Sequence, residues 1–288
     1  GSDINADETV EIDADSKQGV SSFTVTAGIA GVGAGVAGSV SVTELENKTE
    51  AKLLNTDVDA SKINVTAQHT GIINAGNVGI GAAGVGAGVG LSVGVLKDNS
   101  ETAAEISGSD DDKAQITAGG NVDVSAVNSS VVKPVITAGG AGAAGVAGAT
   151  SVNNINSKVT NSIKNAEIKS SGNINGTAQN KFTVDAEMGS LSGGGVGVGV
   201  GVTVNTIDST VKLDVKNSTL NAASDVTLTA DEVRDISQLA TGVAAGGAAV
   251  GVNIAVTTVG QAVDDKAAVN KIDEANSIYN NNEGNSIN

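Results

Sequence analysis

From Met188 to Ile207 the chain alternates valine with glycine. Val196, Val198, Val200, Val202 and Val204 hold one parity, and Gly195, Gly197, Gly199 and Gly201 the other. A period of two belongs to a β-strand, whose successive side chains point to opposite faces. The run from Gly71 to Leu96 repeats the pattern with Val85, Ala87, Val89, Leu91, Val93 and Val95. Further uncharged runs extend from Thr24 to Thr43, Val135 to Ser157 and Ile236 to Val263, long enough to raise the question of a membrane-spanning helix. Glycine costs about 1 kcal/mol relative to alanine in a helix interior, so these runs are read as strands. The alternation leaves open which parity faces the core; with valine inward, the glycine parity meets solvent. On that basis Val200→Asp would be costly and Gly199→Asp mild. After Val204 the apolar positions become Ile207, Val211, Leu213 and Val215, a change of parity that predicts a corner.

Each Gly/Val run belongs to a longer unit closed by a short signature: EIDA at Glu11 to Ala14, NVTA at Asn64 to Ala67, DVSA at Asp123 to Ala126, NGTA at Asn175 to Ala178 and TLTA at Thr227 to Ala230. The closing alanines stand 53, 59, 52 and 52 residues apart. Such a period marks a solenoid, in which a unit buries its apolar face by stacking on its neighbours. The one long interval contains the acidic stretch from Ser107 to Lys113, read as a loop inserted at a corner. Turn-forming residues at Ala118 to Asn121, Ser171 to Asn173 and Asn221 to Asp225 precede the closing strands. The fold class expected is therefore all-β, a β-solenoid of repeats of about 52 residues. Strand lengths favour two rungs of about 26 residues per repeat, which makes a rod on the order of 45 Å long. Residues 10–270 form the repeat domain. Residues 1–9 are expected to hold a cloning remnant, Gly1 and Ser2, and a partial repeat, and residues 271–288, which lose the periodicity, a disordered tail.

Composition agrees with a thin core. The 288 residues include 39 glycines and are 40% hydrophobic but only 1% aromatic, so valine, alanine and isoleucine must fill the interior. The net charge of −16 repels phosphate backbones and argues against nucleic acid as a partner. With no cysteine, disulfides, thiolate metal sites and thiol nucleophiles are excluded.

Candidate chemistry is sparse. Asp110, Asp111 and Asp112 are the one weak candidate for a metal, through carboxylate oxygens on Ca²⁺, although neighbouring side chains of an extended segment point apart and a solvated charge run is the favoured reading. His69, the single histidine, has no companion ligands nearby in the sequence and is read as a turn residue. Arg234, beside Asp231, Glu232 and Asp235, is read as a surface ion pair. Polysaccharide cleavage needs paired carboxylates and an aromatic sugar platform, whereas Phe23, Phe182 and Tyr279 are the only aromatic residues. A carbohydrate-active enzyme is thus disfavoured. No catalytic residue and no cofactor is expected, and the glycine strings match no nucleotide-binding motif in context.

The pattern G-V-G-V-(S/T)-V-N, D-S-T-V-x-x-x-V, S-x-(L/I)-x-A and (G/S)-(N/D)-V-x-(V/L)-(S/T)-A, most complete from Gly197 to Ala230, resembles the repeats of large secreted β-helical exoproteins of Gram-negative bacteria. These include filamentous-haemagglutinin-like adhesins, autotransporter passengers and fusobacterial leukotoxin-like proteins. The resemblance implies a right-handed parallel β-helix, secreted or held at the bacterial cell surface, and carries over no functional residue. It leads to the expectation of an adhesin-type, non-catalytic shaft whose partners are receptors on host or bacterial surfaces, with end-to-end self-association possible. The alternative is a leukotoxin-like cytotoxin segment, the one reading under which the chain would contact membrane.

Overall fold

The computed structural model describes residues 2–260 and is all-β, a parallel β-solenoid. Its strands are β1 (Ser2–Leu54), β2 (Thr56–Ser107), β3 (Ala114–Ala118), β4 (Val122–Ala141), β5 (Ala144–Lys164), β6 (Ala166–Ser170), β7 (Ile174–Gly193), β8 (Val196–Lys216), β9 (Thr219–Ala222), β10 (Val226–Ala245) and β11 (Ala248–Val259). Every pairing is parallel. The expected tail, residues 271–288, lies outside the described residues.

One repeat makes one rung. The closing alanines form a single ladder, Ala14–Ala67–Ala126–Ala178–Ala230, each paired with the next. The expectation of two rungs per repeat is therefore corrected. Five rungs span about 19 Å from first to last strand at roughly 4.8 Å per step, not about 45 Å. In the third rung the chain runs out along β4, reverses at Gly142 and Ala143, returns along β5, and closes the coil through the short β6. β1 and β2 carry both arms of their rungs in one continuous strand, turning near Gly33 and Gly86, whose φ values of 98° and 127° suit glycine.

The two arms of each rung face one another across a gap that narrows toward the reversal. At the wide end, next to the short strands, the inward side chains are large: Leu53, Ile63, Val65, Ile106, Ile116, Val124, Ile163 and Ile168 form one buried cluster. Farther out lie Leu45, Ile73, Leu96, Val132, Ile155, Phe182 and Ile207, then Ile136, Ala138, Ala147, Ala149 and Met188. Near the reversal, the tip of the rung, little more than backbone fits. A Cβ added to Gly28, Gly81 or Gly140 would collide with the facing carbonyl of Val36, Val89 or Val146.

This taper places the glycine parity, not the valine parity, inside. Gly197, Gly199 and Gly201 are buried, while Val200 points outward and is 38% exposed. The corner predicted after Val204 is also absent, because β8 continues to Lys216. Odd-numbered residues stay on the inner side through Thr203, Asn205, Ile207 and on to Val215. What changes near Asn205 is the gap, which widens enough to accept apolar side chains, so they move from the outer parity to the inner one.

The order of the two aspartate substitutions should follow the observed faces. Gly199→Asp, whose Cβ would meet Ser190 Oγ at 3.2 Å and Val243 O at 3.5 Å, should cost more than about 3 kcal/mol. Val200→Asp should stay within about 1 kcal/mol. Urea unfolding of the two variants provides the comparison, and a larger loss for Val200→Asp would contradict the inward glycine face.

Candidate functional surface

Three features could carry function: the corner loop, the outer faces of the arms, and a polar belt inside the core. At the corner leaving the second arm, most rungs turn on one asparagine in the left-handed region, Asn55 (φ 49°), Asn165 (φ 46°) and Asn217 (φ 51°). Asparagine tolerates this conformation better than other residues with a Cβ. The second rung replaces that asparagine with Gly108 and the loop Ser109 to Lys113, so the acidic stretch is an insertion at a corner. Ser109 N and Asp112 N donate to Asp112 O and Ser109 Oγ at 2.9 and 3.0 Å, and Asn165 Nδ2 donates to Asp110 Oδ1 at 3.0 Å. Asp110, Asp111 and Asp112 do not converge. Among the described residues no three His, Cys, Asp or Glu side chains group as metal ligands.

The outer face of the second arm divides into two zones. Near the wide end it carries mixed charges in register: Lys48–Glu101–Lys158, with Lys158 Nζ 3.0 Å from Glu101, and Glu44–Lys97 at 3.8 Å. Lys48 and Lys52 both reach Glu50, at 3.2 and 2.7 Å, and hold its carboxyl below the ordinary carboxylate range, the bond from Lys52 contributing most. Glu46, Asn47, Lys48, Asn99, Glu101 and Lys158 border a shallow open depression of about 530 Å³. Toward the tip the same face becomes apolar, with Val42–Val95–Val152–Val204–Val256 in one row across all five rungs.

Inside, a polar belt separates the wide-end cluster from the next. Ser16, His69, Asn128, Asn180 and Glu232 form one inward row, faced by Asn47, Ser100, Ser157 and Ser209. Asn128 Nδ2 donates to Asn180 Oδ1 at 2.7 Å, Asn180 Nδ2 to Ser157 Oγ at 2.8 Å, and Ser16 Oγ to Asn47 Oδ1 at 3.0 Å. A second pair, Asn153 and Asn205, is joined in the same way at 2.7 Å. Arg234 bonds Glu232 and Ser209 at the last rung, in line with the ion-pair reading.

His69 is a correction. It lies mid-strand and fully buried rather than in a turn, and neither ring nitrogen has a well-oriented partner. Burial lowers its pKa, with the Ser16 backbone opposing. Asp98, on the facing arm, is also fully buried. Its Oδ1 accepts from Ser100 Oγ at 2.6 Å and its Oδ2 is unpartnered. Burial raises its pKa, with the Ser100 and Ser130 hydroxyls opposing. Asp98 and the belt asparagines were missed by sequence reading, although the intervals Asn128 to Asn180 and Asn153 to Asn205 equal the 52-residue period.

Comparison with family models, curated proteins and solved structures gives no match. Ladders in register supply stacked rows of polar and apolar groups on the outside, and the groups whose pKa burial displaces, His69 and Asp98, lie between the arms.

The buried pair makes opposite contributions to pH dependence. An unfolded chain protonates His69 near pH 6.5, so the stability held above that value is lost as pH falls through it toward the lowered folded value. Asp98 contributes most below its unfolded pKa of 3.8, and that contribution is lost as pH rises through the raised folded value. In urea titrations His69→Asn should lose less stability than the parent between pH 7.5 and 5.5, and Asp98→Asn should exceed the parent at pH 7.5. Parallel pH profiles for the parent and His69→Asn would contradict this.

Proposed function

We propose that the chain is a non-catalytic shaft segment of an adhesin-type virulence exoprotein, secreted or displayed at a bacterial cell surface. The supporting observation is the stacking of outward polar groups in register, Glu46–Asn99–Asn156–Asp208 and Lys48–Glu101–Lys158–Thr210, which lines four successive rungs with polar and charged side chains along one face. Such a surface suits receptors on host or bacterial cells that are themselves repetitive. Each contact buries little apolar area and is weak, and strength comes from many copies acting together. The net charge of −16 favours partners other than nucleic acid. β1 at one end and β10 and β11 at the other are paired on one side only among the described residues, which suits end-to-end continuation of the stack. The exposed apolar rows favour a second reading, a leukotoxin-like segment that contacts membrane.

The readings separate in one comparison. The chain is presented to host cells, bacterial cells and lipid vesicles, free in solution and clustered on beads. A shaft predicts weak binding when free, a gain on the order of 100-fold or more when clustered, and no vesicle leakage. Leakage caused by the free chain would support the cytotoxin reading and overturn the shaft.

A further inference from the structure

The tip half of the second arm presents an uncharged sheet face. Its outward rows are Ala34–Ala87–Ala144–Val196–Ala248, Val36–Val89–Val146–Val198–Val250, Gly38–Leu91–Gly148–Val200–Val252, Val40–Val93–Thr150–Val202–Ile254 and the row closed by Val256. Val36 is 61% exposed, Val42 65% and Val250 56%. The outer face of the first arm differs, because Lys133, Asp185 and Glu187 interrupt its apolar residues. The second-arm face measures about 25 Å by 25 Å from strand spacing and rise, on the order of 600 Å² per copy. An uncharged patch of this size on a chain with this much charge calls for a cover.

We propose that this face is an interface through which two copies of the chain pair sheet against sheet. Two such faces would bury on the order of 1,200 Å², the lower bound of stable interfaces, at the aligned spacing of packed sheets. The pattern is self-complementary. A two-fold axis lying in the interface along the middle rung sets the first rung of one copy over the fifth of the other, so Val252 covers the dent at Gly38 and Leu91 meets Val200. In the flanking row, Glu44 and Lys97 then face Thr258 and Thr206, and no like charges meet. Hydrocarbon is the poorer cover, since the backbone groups along β1, β10 and β11 that are unpaired among the described residues would have to enter it unsatisfied. A paired copy leaves those edges in water.

Sedimentation of the full 288-residue chain between about 1 and 100 µM tests the proposal, with phosphatidylcholine vesicles as a parallel arm. The expected result is a mass that rises to twice the chain mass and stops, and a shift toward the dimer in higher salt as the net negative charge is screened. Val198→Lys with Val202→Lys should abolish the dimer while the circular dichroism and melting remain those of the parent. If that pair fails to fold, Val36→Lys with Val40→Lys on the end rung makes the same test. Leu191→Lys with Val243→Lys, on the first arm, should leave the dimer intact. A monomer at 100 µM, a mass that grows without limit and is unchanged by the second-arm lysines, or a dimer that survives those lysines would overturn the proposal. So would vesicle binding that those lysines remove. Neither outcome depends on whether the shaft binds cells.

Discussion

The approach of the two arms near the tip governs the structure. Where facing backbones come close enough that a Cβ on Gly81 would strike the carbonyl of Val89, inward positions are restricted to glycine and small residues. The strand must then place its β-branched residues outward. Ala37, Ser39 and Ser41 make the transition on the first rung, and Leu45 and Leu53 occupy the wider gap beyond. The chain is thus a wedge with an aliphatic core at one end and a nearly core-less contact at the other. That contact excludes water from between two sheets and exposes valine on the outside, which is why the tip half has an apolar surface without being an apolar interior.

Between the aliphatic clusters the polar belt supplies what apolar packing lacks, a reason for each rung to sit in one register. A one-residue slip would turn every inward side chain out, and it would also break the bonds from Asn128 to Asn180 and from Asn153 to Asn205. Stacked amides stabilise in-register parallel strands because each donates to the next. His69 and Asp98 interrupt this economy in the second rung, each with unpartnered polar atoms in a buried site. That rung also carries the corner insertion. The repeat that buries His69 and Asp98 is thus also the one with the acidic loop.

Much of the architecture was legible in the chain. The closing alanines marked the period, the Gly/Val alternation marked strands, and the long interval marked the insertion. The rung count and the faces were not legible, for one shared reason. Period-two reading identifies two faces but assigns the apolar one to the core, a rule that assumes room for side chains. Where Gly197, Gly199 and Gly201 close the gap, that assumption fails, and the later return of Ile207 and Val211 to the inner side imitates a corner. His69 was misread because a single residue carries no periodic signal. Asn128, paired with Asn180 one period later, carried such a signal.

The architecture rests on one repeat forming one rung, and disulfide trapping addresses that most directly, since the chain has no cysteine of its own. Glu46 and Asn99 are outward register partners on adjacent rungs, whereas Glu46 and Ile72 would be near neighbours only if rungs were 26 residues long. Parallel neighbours lie about 4.8 Å apart, within reach of a disulfide. Glu46→Cys with Asn99→Cys should cross-link within one chain under mild oxidation, and Glu46→Cys with Ile72→Cys should not. Cross-linking of the second pair, with none in the first, would contradict the one-repeat rung and the inward glycine face built on it.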